Sequence, residues 1–435
     1  MLDINFIIEN LKILEKVTKD KGLRIDYKEL LKLDDKRRSL IQEIDDLRQK
    51  RNANADLLKD QSKRSAELIN EGKALKDKIA ALESEYIKVL DEYDEIMLLV
   101  PNVISKDTPI GKDDRDNKEI SKWGKIPKFK FKIKDHLQLG NNLDLLDLDR
   151  GVKVSGFRGY YLKNEGAQMQ MALLLYTFNK LMAKGFTPFI TPTLVREMAL
   201  IGSGHFPFGK EEVYQIGNPG KLDSGEDIKE PLFLAGTSEP SLMAYHANET
   251  LKEGDLPKKY CGFSTCYRSE VGSYGKDTKG IYRLHEFMKI EQVIICQADI
   301  DEGLKYFEEL RSIAEEILQD LKLPYHVIAV CTGDMGAGKY KMYDIETWMP
   351  SRNAYSETHS DSFLTDWQAR RMNIKYKAKD GETKYVFSLN NTAIASPRIL
   401  IALWENYQNE DGSVTIPAAI RPYMGNKEII LPKDN

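Results

Sequence analysis

Residues 267–291 read Tyr267-Arg268-Ser269-Glu270, then Val271-Gly272-Ser273-Tyr274-Gly275-Lys276-Asp277-Thr278-Lys279-Gly280, then Ile281-Tyr282-Arg283-Leu284-His285-Glu286-Phe287-Met288-Lys289-Ile290-Glu291. Aromatic and β-branched residues on either side of a glycine-rich polar loop predict a strand over 263–268 and another over 287–296. Arg268 closes the first strand and Phe287 opens the second. A guanidinium there can meet an α-phosphate, the Glu270 carboxylate can accept from an adenine amino group, and the Phe287 ring offers a face for a base. Taken singly, each has a plainer reading: Arg268 as a surface charge, Phe287 as a core aromatic.

Outward from this pair, strands are predicted over 186–191, 325–330, 343–348 and 385–389, with helices over 167–183 and 397–407. The βαβ rhythm of a doubly wound parallel sheet does not recur, so an antiparallel α+β domain is expected. The run Gly333-Asp334-Met335-Gly336-Ala337-Gly338-Lys339-Tyr340 nearly matches a phosphate-binding P-loop. Tyr340 stands where a small hydroxyl should bind magnesium, and a strand rather than a helix follows, so that reading fails.

The first hundred residues differ in kind. Residues 28–97 hold one glycine, Gly72, no proline, and dense charge. Leu75, Ile79, Leu82, Tyr86, Val89, Tyr93 and Ile96 follow the spacing of a coiled-coil seam. Leu33, Leu40, Ile44, Leu47 and Leu58 fit a second seam, interrupted by Arg37, Arg51 and Asn54. The polar run 60–65 is a plausible reversal, and two antiparallel helices of about 30 residues, about 45 Å long, are expected. Basic residues outnumber acidic ones eleven to eight over 28–64, and acidic outnumber basic nine to four over 67–95. The basic excess gathers at Arg48, Lys50, Arg51, Lys59, Lys63 and Arg64. Two readings stay open on the residues alone: a solvated coiled-coil face, or an arm that touches phosphate.

The 435 residues suggest roughly two to three domains. With 41% hydrophobic and 30% charged residues, the balance is that of a globular protein carrying some charged helix. A net charge of −4 means that any nucleic-acid footprint is local. Cys261, Cys266, Cys296 and Cys331 form no CxxC pair, which disfavours a disulfide scaffold and fits a reducing compartment. The opening Met1-Leu2-Asp3-Ile4-Asn5 has no secretory pattern and no apolar run is long enough to span a bilayer, so a cytoplasmic protein without membrane contact is expected.

Arg268-Ser269-Glu270, the loop and Arg283-Leu284-His285-Glu286-Phe287 resemble motif 2 of the class II aminoacyl-tRNA synthetases, specifically the seryl branch. Pro101-Asn102-Val103, residues 109–114 and Asp116-Asn117 resemble its linker signature, and Thr237-Ser238-Glu239 its serine-recognition TxE. Asp334-Met335-Gly336, residues 343–350 and Gln368-Ala369-Arg370-Arg371 resemble its late catalytic strands. Residues 389–398 with Glu405-Asn406-Tyr407-Gln408 resemble motif 3. The likeness is collinear over nearly the whole chain.

The resemblance implies an N-terminal domain over 1–103 that binds transfer RNA through a hairpin arm (about 28–97), a linker over 104–135, and a class II catalytic domain over 136–435. It implies a serine–tRNA ligase acting on ATP, L-serine and tRNA(Ser), with tRNA(Sec) a further candidate, and working as a homodimer. Arg268, Arg398 and Glu357 would be catalytic. Thr237, Ser238, Glu239, Arg268, Glu291, Asn390 and Thr392 would bind serine. Arg268, Ser269, Glu270, Leu284, Phe287, Glu357, Thr358, His359, Ser360 and Arg398 would bind ATP, with Glu357 and Ser360 also ligating Mg2+. Arg48, Lys50, Arg51, Lys63 and Arg64 would contact transfer RNA, and no zinc is expected. Motif 3 lacks the glycines common in bacterial members, His359 and Phe363 depart from the usual metal loop, and Pro240 is unusual after Glu239. Two other readings compete. One is a ligase that charges a carrier protein, which the long hairpin disfavours. The other is a non-enzymatic coiled-coil protein, which the retained Arg268, Glu270, Glu291, Glu357 and Arg398 disfavour.

Overall fold

The computed structural model describes residues 1–433 apart from 60, 63 and 272–278. Two compact units emerge, Met1–Pro101 and Asn102–Asn435. In the first, two short helices, Ile4–Glu9 and Leu11–Asp20, precede α1 (Tyr27–Lys59) and α2 (Ala66–Leu99). The Ser65 hydroxyl accepts from the Leu68 amide at 3.2 Å and so caps α2. Leu33, Leu40, Ile44 and Leu47 face Ile79, Val89 and Tyr93 in a buried seam. Leu58, Leu75, Leu82, Tyr86 and Ile96 are only half-buried, because a pair of helices has no third layer to cover the flank of its seam.

Two of the polar interruptions have partners. Asn54 is buried; its Nδ2 donates to Glu71 Oε2 at 3.1 Å, and a Cβ on the facing Gly72 would come within 3.0 Å of its Oδ1. Arg37 reaches Asp34 at 2.5 Å and lies 4.9 Å from the centre of the Tyr93 ring.

The second unit is built on eight strands: β1 (Lys118–Trp123), β2 (Thr187–Ile190), β3 (Lys258–Tyr267), β4 (Glu286–Cys296), β5 (Tyr325–Ala329), β6 (Lys341–Met349), β7 (Ala354–Thr365) and β8 (Phe387–Ala395). Their order is β1-β5-β6-β7-β8-β4-β3-β2, and every neighbouring pair is antiparallel except β2 with β3. Three helices, α3 (Asn164–Ala183), α4 (Ile300–Asp320) and α5 (Ser396–Asn406), pack on it. α4 starts at an Asp299 cap and turns Phe307, Leu310, Ile313, Ala314 and Ile317 into the core. An antiparallel α+β domain preceded by a helical hairpin is the observed class.

The segment expected as linker is partly in the sheet. β1 lies at an edge, paired with β5, with one register shift between Glu119 and Ser121. The linker signature also consists of ties: Asn102 Nδ2 donates to the carbonyls of Gly338 (3.1 Å) and Leu364 (2.8 Å), and Asn117 Nδ2 to Asp334 Oδ2 (2.8 Å). Gly333, in the false P-loop, packs so closely that a Cβ would come 2.3 Å from the Lys112 carbonyl oxygen. Its glycine is a packing requirement. Strand β7 was not expected, and the strand expected at 385–389 is β8, which extends to Ala395.

Candidate active site

Along β4 the side chains of Phe287, Lys289 and Glu291 share one face by period-two alternation. Arg268 follows the last residue of β3, next to the Tyr267–Glu286 pair, and its guanidinium lies 5.3 Å from the centre of the Phe287 ring. On the other side of β4, Glu291 is opposite Thr392 of β8 because Ala393 is skipped in the register. A second irregularity skips Thr358 of β7, so that Glu346 is opposite Glu357 and Ile345 opposite His359. Both bulges fall beside one cavity, where such insertions re-aim side chains.

That cavity is lined by Arg268, Glu270, Leu284, Phe287, Glu357, Thr358, Thr392 and Arg398 among the expected residues. It is also lined by Tyr282, Arg283 and Lys289, to which the sequence reading gave no role. Arg398 stands in the first turn of α5 after Pro397. Its Nη1 donates to the carbonyl (2.8 Å) and carboxylate (3.2 Å) of Glu357, and its Nε to the Tyr282 carbonyl at 3.3 Å. Glu270, at φ +55°, accepts from Arg283 Nη1 at 3.0 Å.

Beside the groups that line this cavity is a buried polar cluster. Lys289 forms an ion pair with Glu291, and Thr392 Oγ1 donates to Glu291 at 3.4 Å. Burial pushes the Glu291 carboxyl above its usual range while Lys289 works against that shift. Glu239 Oε1 accepts from Gln368 Nε2 (2.6 Å) and Asn390 Nδ2 (2.8 Å); Thr237 and Ser238 beside it are buried. Pro240 sits in the first turn of a short helix, Glu239–Ala244, where its missing N–H costs nothing. A second cavity shares Arg268, Glu270 and Arg283 and adds His205, whose ring burial holds at about 4.

Three expected ATP residues, Ser269, His359 and Ser360, do not line the first cavity. The Ser269 hydroxyl donates to the Glu211 carbonyl at 2.6 Å. His359 is buried between Thr358 Oγ1 (2.9 Å) and the Ala393 carbonyl (3.1 Å), and burial pushes its ring down to about 4. Ser360 is opposite Asp344 on β6 and hydrogen-bonds it. Asp344 is buried, and its Oδ1 has no hydrogen-bond partner among the described residues. Burial, then the neighbouring Glu357, pushes its carboxyl well above the usual range. Two carboxylates and a hydroxyl with an orphaned oxygen make a donor set that fits a hard divalent cation.

On the hairpin, Arg48, Lys50, Arg51 and Arg64 are exposed, and Arg48 pairs with Glu83 at 2.9 Å. Lys63 and most of the motif 2 loop, 272–278, lie outside the described residues. The alternation Phe287-x-Lys289-x-Glu291 was the available signal for Lys289. Asp344 carried none, since its role depends on the strand beside it.

A family model for the seryl-tRNA synthetase N-terminal domain matches residues 1–104, and one for the tRNA synthetase class II core domain (G, H, P, S and T) matches 221–407. The serine–tRNA ligase of Deinococcus radiodurans is 44% identical over 431 residues, covering 99% of each chain. That of Treponema denticola is 41% identical, over 98% of this chain and 99% of its own. Among solved structures, seryl-tRNA synthetase from Pyrococcus horikoshii complexed with ATP superposes with a TM-score of 0.86 at 36% identity over all of both chains. The cytoplasmic serine–tRNA ligase of Naegleria fowleri in complex with AMP gives 0.84 at 29% identity, over 100% of this chain and 99% of that one.

Proposed function

This chain belongs to the seryl-tRNA synthetase family, and we propose that the cavity between Arg268 and Arg398 is where it joins serine to ATP. It is a ligase: it activates L-serine with ATP to seryl-adenylate and passes the seryl group to the 3′ end of tRNA(Ser). In the first step a serine carboxylate oxygen bonds to the α-phosphorus and the bond to diphosphate breaks. In the second, the terminal ribose hydroxyl attacks the seryl carbonyl carbon and AMP leaves. Neither step needs a side-chain nucleophile; placement and countercharge carry both.

Arg268 then holds the α-phosphate and the serine carboxylate, Glu270 accepts from the adenine amino group, and Phe287 stacks on the base. Arg398, anchored on one edge by Glu357 and Tyr282, presents its remaining edge to the γ-phosphate. Thr237, Glu239, Glu291, Asn390 and Thr392 read the ammonium and hydroxyl of serine. A site built to hydrogen-bond that hydroxyl rejects alanine because its buried partners would be left unpaired. Ser269 and His359 support the walls. Glu357 and Ser360, with Asp344 beside them, would hold Mg2+, which when bound neutralises triphosphate charge. The second cavity gives room for the terminal nucleotide of transfer RNA beside Arg268.

The N-terminal domain, residues 1–103, is assigned to tRNA(Ser), with tRNA(Sec) a further candidate, through Arg48, Lys50, Arg51, Lys63 and Arg64 of its hairpin arm (about 28–97); residues 104–135 are assigned as the linker and 136–435 as the catalytic domain. A homodimer is supported by exposed apolar side chains on and near edge strand β2: Ile190 (82% exposed), Leu194, Met198 and Tyr245. No helix among the described residues is long and apolar enough to cross a membrane, and the cytoplasm is the assigned location.

The observation that carries this reading is a single cavity shared by Arg268, Arg398 and Phe287, bordered by the Lys289–Glu291–Thr392 cluster. Serine-dependent ATP–diphosphate exchange tests it, with alanine and threonine as controls. Exchange with serine alone is expected; none with serine would overturn the reading, and equal exchange with alanine would overturn the assigned hydroxyl recognition.

A further inference from the structure

Arg398 has an unusual neighbour. Its guanidinium carbon lies 4.5 Å from the centre of the Tyr282 ring, and that of Arg352 lies 4.4 Å from the same centre. The ring separates two cavities: Tyr282 and Arg398 line the one already described, and Tyr282 and Arg352 line its neighbour. Each cation thus meets the same ring from a different cavity. The same residue also fixes Arg398 through its backbone, since the Tyr282 carbonyl accepts from Nε at 3.3 Å while Glu357 takes Nη1. The ring covers one face of the guanidinium, and the two acceptors fix two of its nitrogens. Nη2 then has no protein partner among the described residues and is the donor left over.

We propose that Tyr282 is a positioning residue that pre-sets Arg398 for the far phosphate of ATP, with Arg352 bracing the ring from the neighbouring cavity. The proposal rests on the assignment of Arg398 to the triphosphate. A flat aromatic face holds a guanidinium parallel to itself, whereas an aliphatic side chain of the same bulk gives no orientation. An arginine already in its binding geometry loses less rotamer freedom when the nucleotide arrives. The benefit should therefore appear in ATP and not in serine.

The test is steady-state diphosphate exchange by the full-length chain and by Tyr282→Leu, Tyr282→Phe, Arg398→Lys and the double variant Tyr282→Leu/Arg398→Lys, with folding checked by thermal melting. If the parent shows no serine-dependent exchange, the functional reading itself fails. With an active parent, Tyr282→Leu should raise the KM for ATP about tenfold, the loss of one desolvated cation–π contact. The serine KM should move less than twofold, and Tyr282→Phe, which keeps the ring, should restore the ATP KM to within about twofold of the parent. In the Arg398→Lys background, where no planar group remains to be oriented, Tyr282→Leu should add little. An unchanged ATP KM, equal rises for ATP and serine, a phenylalanine variant no better than leucine, or full additivity with Arg398→Lys would each overturn the proposal.

Discussion

The hairpin and the sheet unit handle charge in opposite ways. On α1 and α2 most charged side chains are exposed, Asp34 being a buried exception, and pairs such as Arg48–Glu83 and Lys78–Glu43 stand in water on both sides. Such pairs add little to stability and are screened by salt. Around β4 the charges are buried or half-buried and fixed by neighbours: Lys289 on Glu291, Gln368 and Asn390 on Glu239, Tyr282 on Arg398. Exposed, mobile charge suits a long polyanion gripped at many weak points. Buried, oriented charge suits one small transition state. Losing one charge should therefore be mild in the first region and severe in the second.

The largest effect is expected in the sheet unit. Arg268→Ala or Arg398→Ala should lower serine-dependent exchange by about 10²–10³-fold or more with the fold intact, since in the proposed assignment each removes countercharge from the reacting triphosphate. Near-parental exchange by either variant would remove that residue from the chemistry and erase the contrast.

Deleting residues 30–96 should leave serine activation within a few-fold of the parent and nearly abolish aminoacylation. The hairpin has its own seam and falls within a separate compact unit, so its loss does not unpack the sheet. Parental charging by the deletion variant would make the arm a mere coiled coil. A gentler cut replaces Arg48, Lys50, Arg51, Lys63 and Arg64 with neutral residues. Binding of transfer RNA should weaken and the slope of log K against log salt should flatten, each lost phosphate contact removing roughly 0.7–0.9 from it. Binding with an unchanged slope would sink the phosphate assignment.

The smallest effect is a matter of pH. All six histidines follow residue 101. His326 hydrogen-bonds Glu119 (2.7 Å) and Glu346 (2.6 Å) through its two ring nitrogens and stacks on Tyr355 at 4.2 Å. Burial works against its charge, but hydrogen bonds to Glu346 and Glu119 outweigh that and raise its titration point. A raised folded value means the stabilisation is fully present below the unfolded pKa of about 6.5 and disappears as pH rises through the folded value. His326→Gln should thus cost the sheet unit more at pH 6 than at pH 9, by a few degrees of melting temperature at most. The hairpin's helicity should not respond over that range. Equal costs at both pH values would show the ring is held as a neutral group.

The sequence was most readable where structure is local. The seam of the hairpin follows from heptad spacing, and the strand–loop–strand around Arg268 from glycine placement and β-branched runs. It was least readable where a neighbouring strand decides. Strand β7 holds Ser356, Thr358, His359, Asp361 and Ser362, all buried at the centre of the sheet, and a polar run of that kind reads as a loop until its neighbours are known. The bulges at Thr358 and Ala393 have no signature in their own residues, yet they decide which side chains face the cavity. Asn54 and Arg37 looked like faults in the seam because their partners, Gly72 and Tyr93, belong to the other helix.

Asn54 and Gly72 also make the hairpin a ruler. A repeating apolar seam tolerates sliding by seven residues, but a buried carboxamide facing the single glycine of the pair fits in one position only. With 33 and 34 residues at 1.5 Å each, the gauge is about 50 Å long and its tip has a fixed distance from its root. Lengthening both helices by one heptad above the lock would extend the gauge by about 10 Å without disturbing its zero.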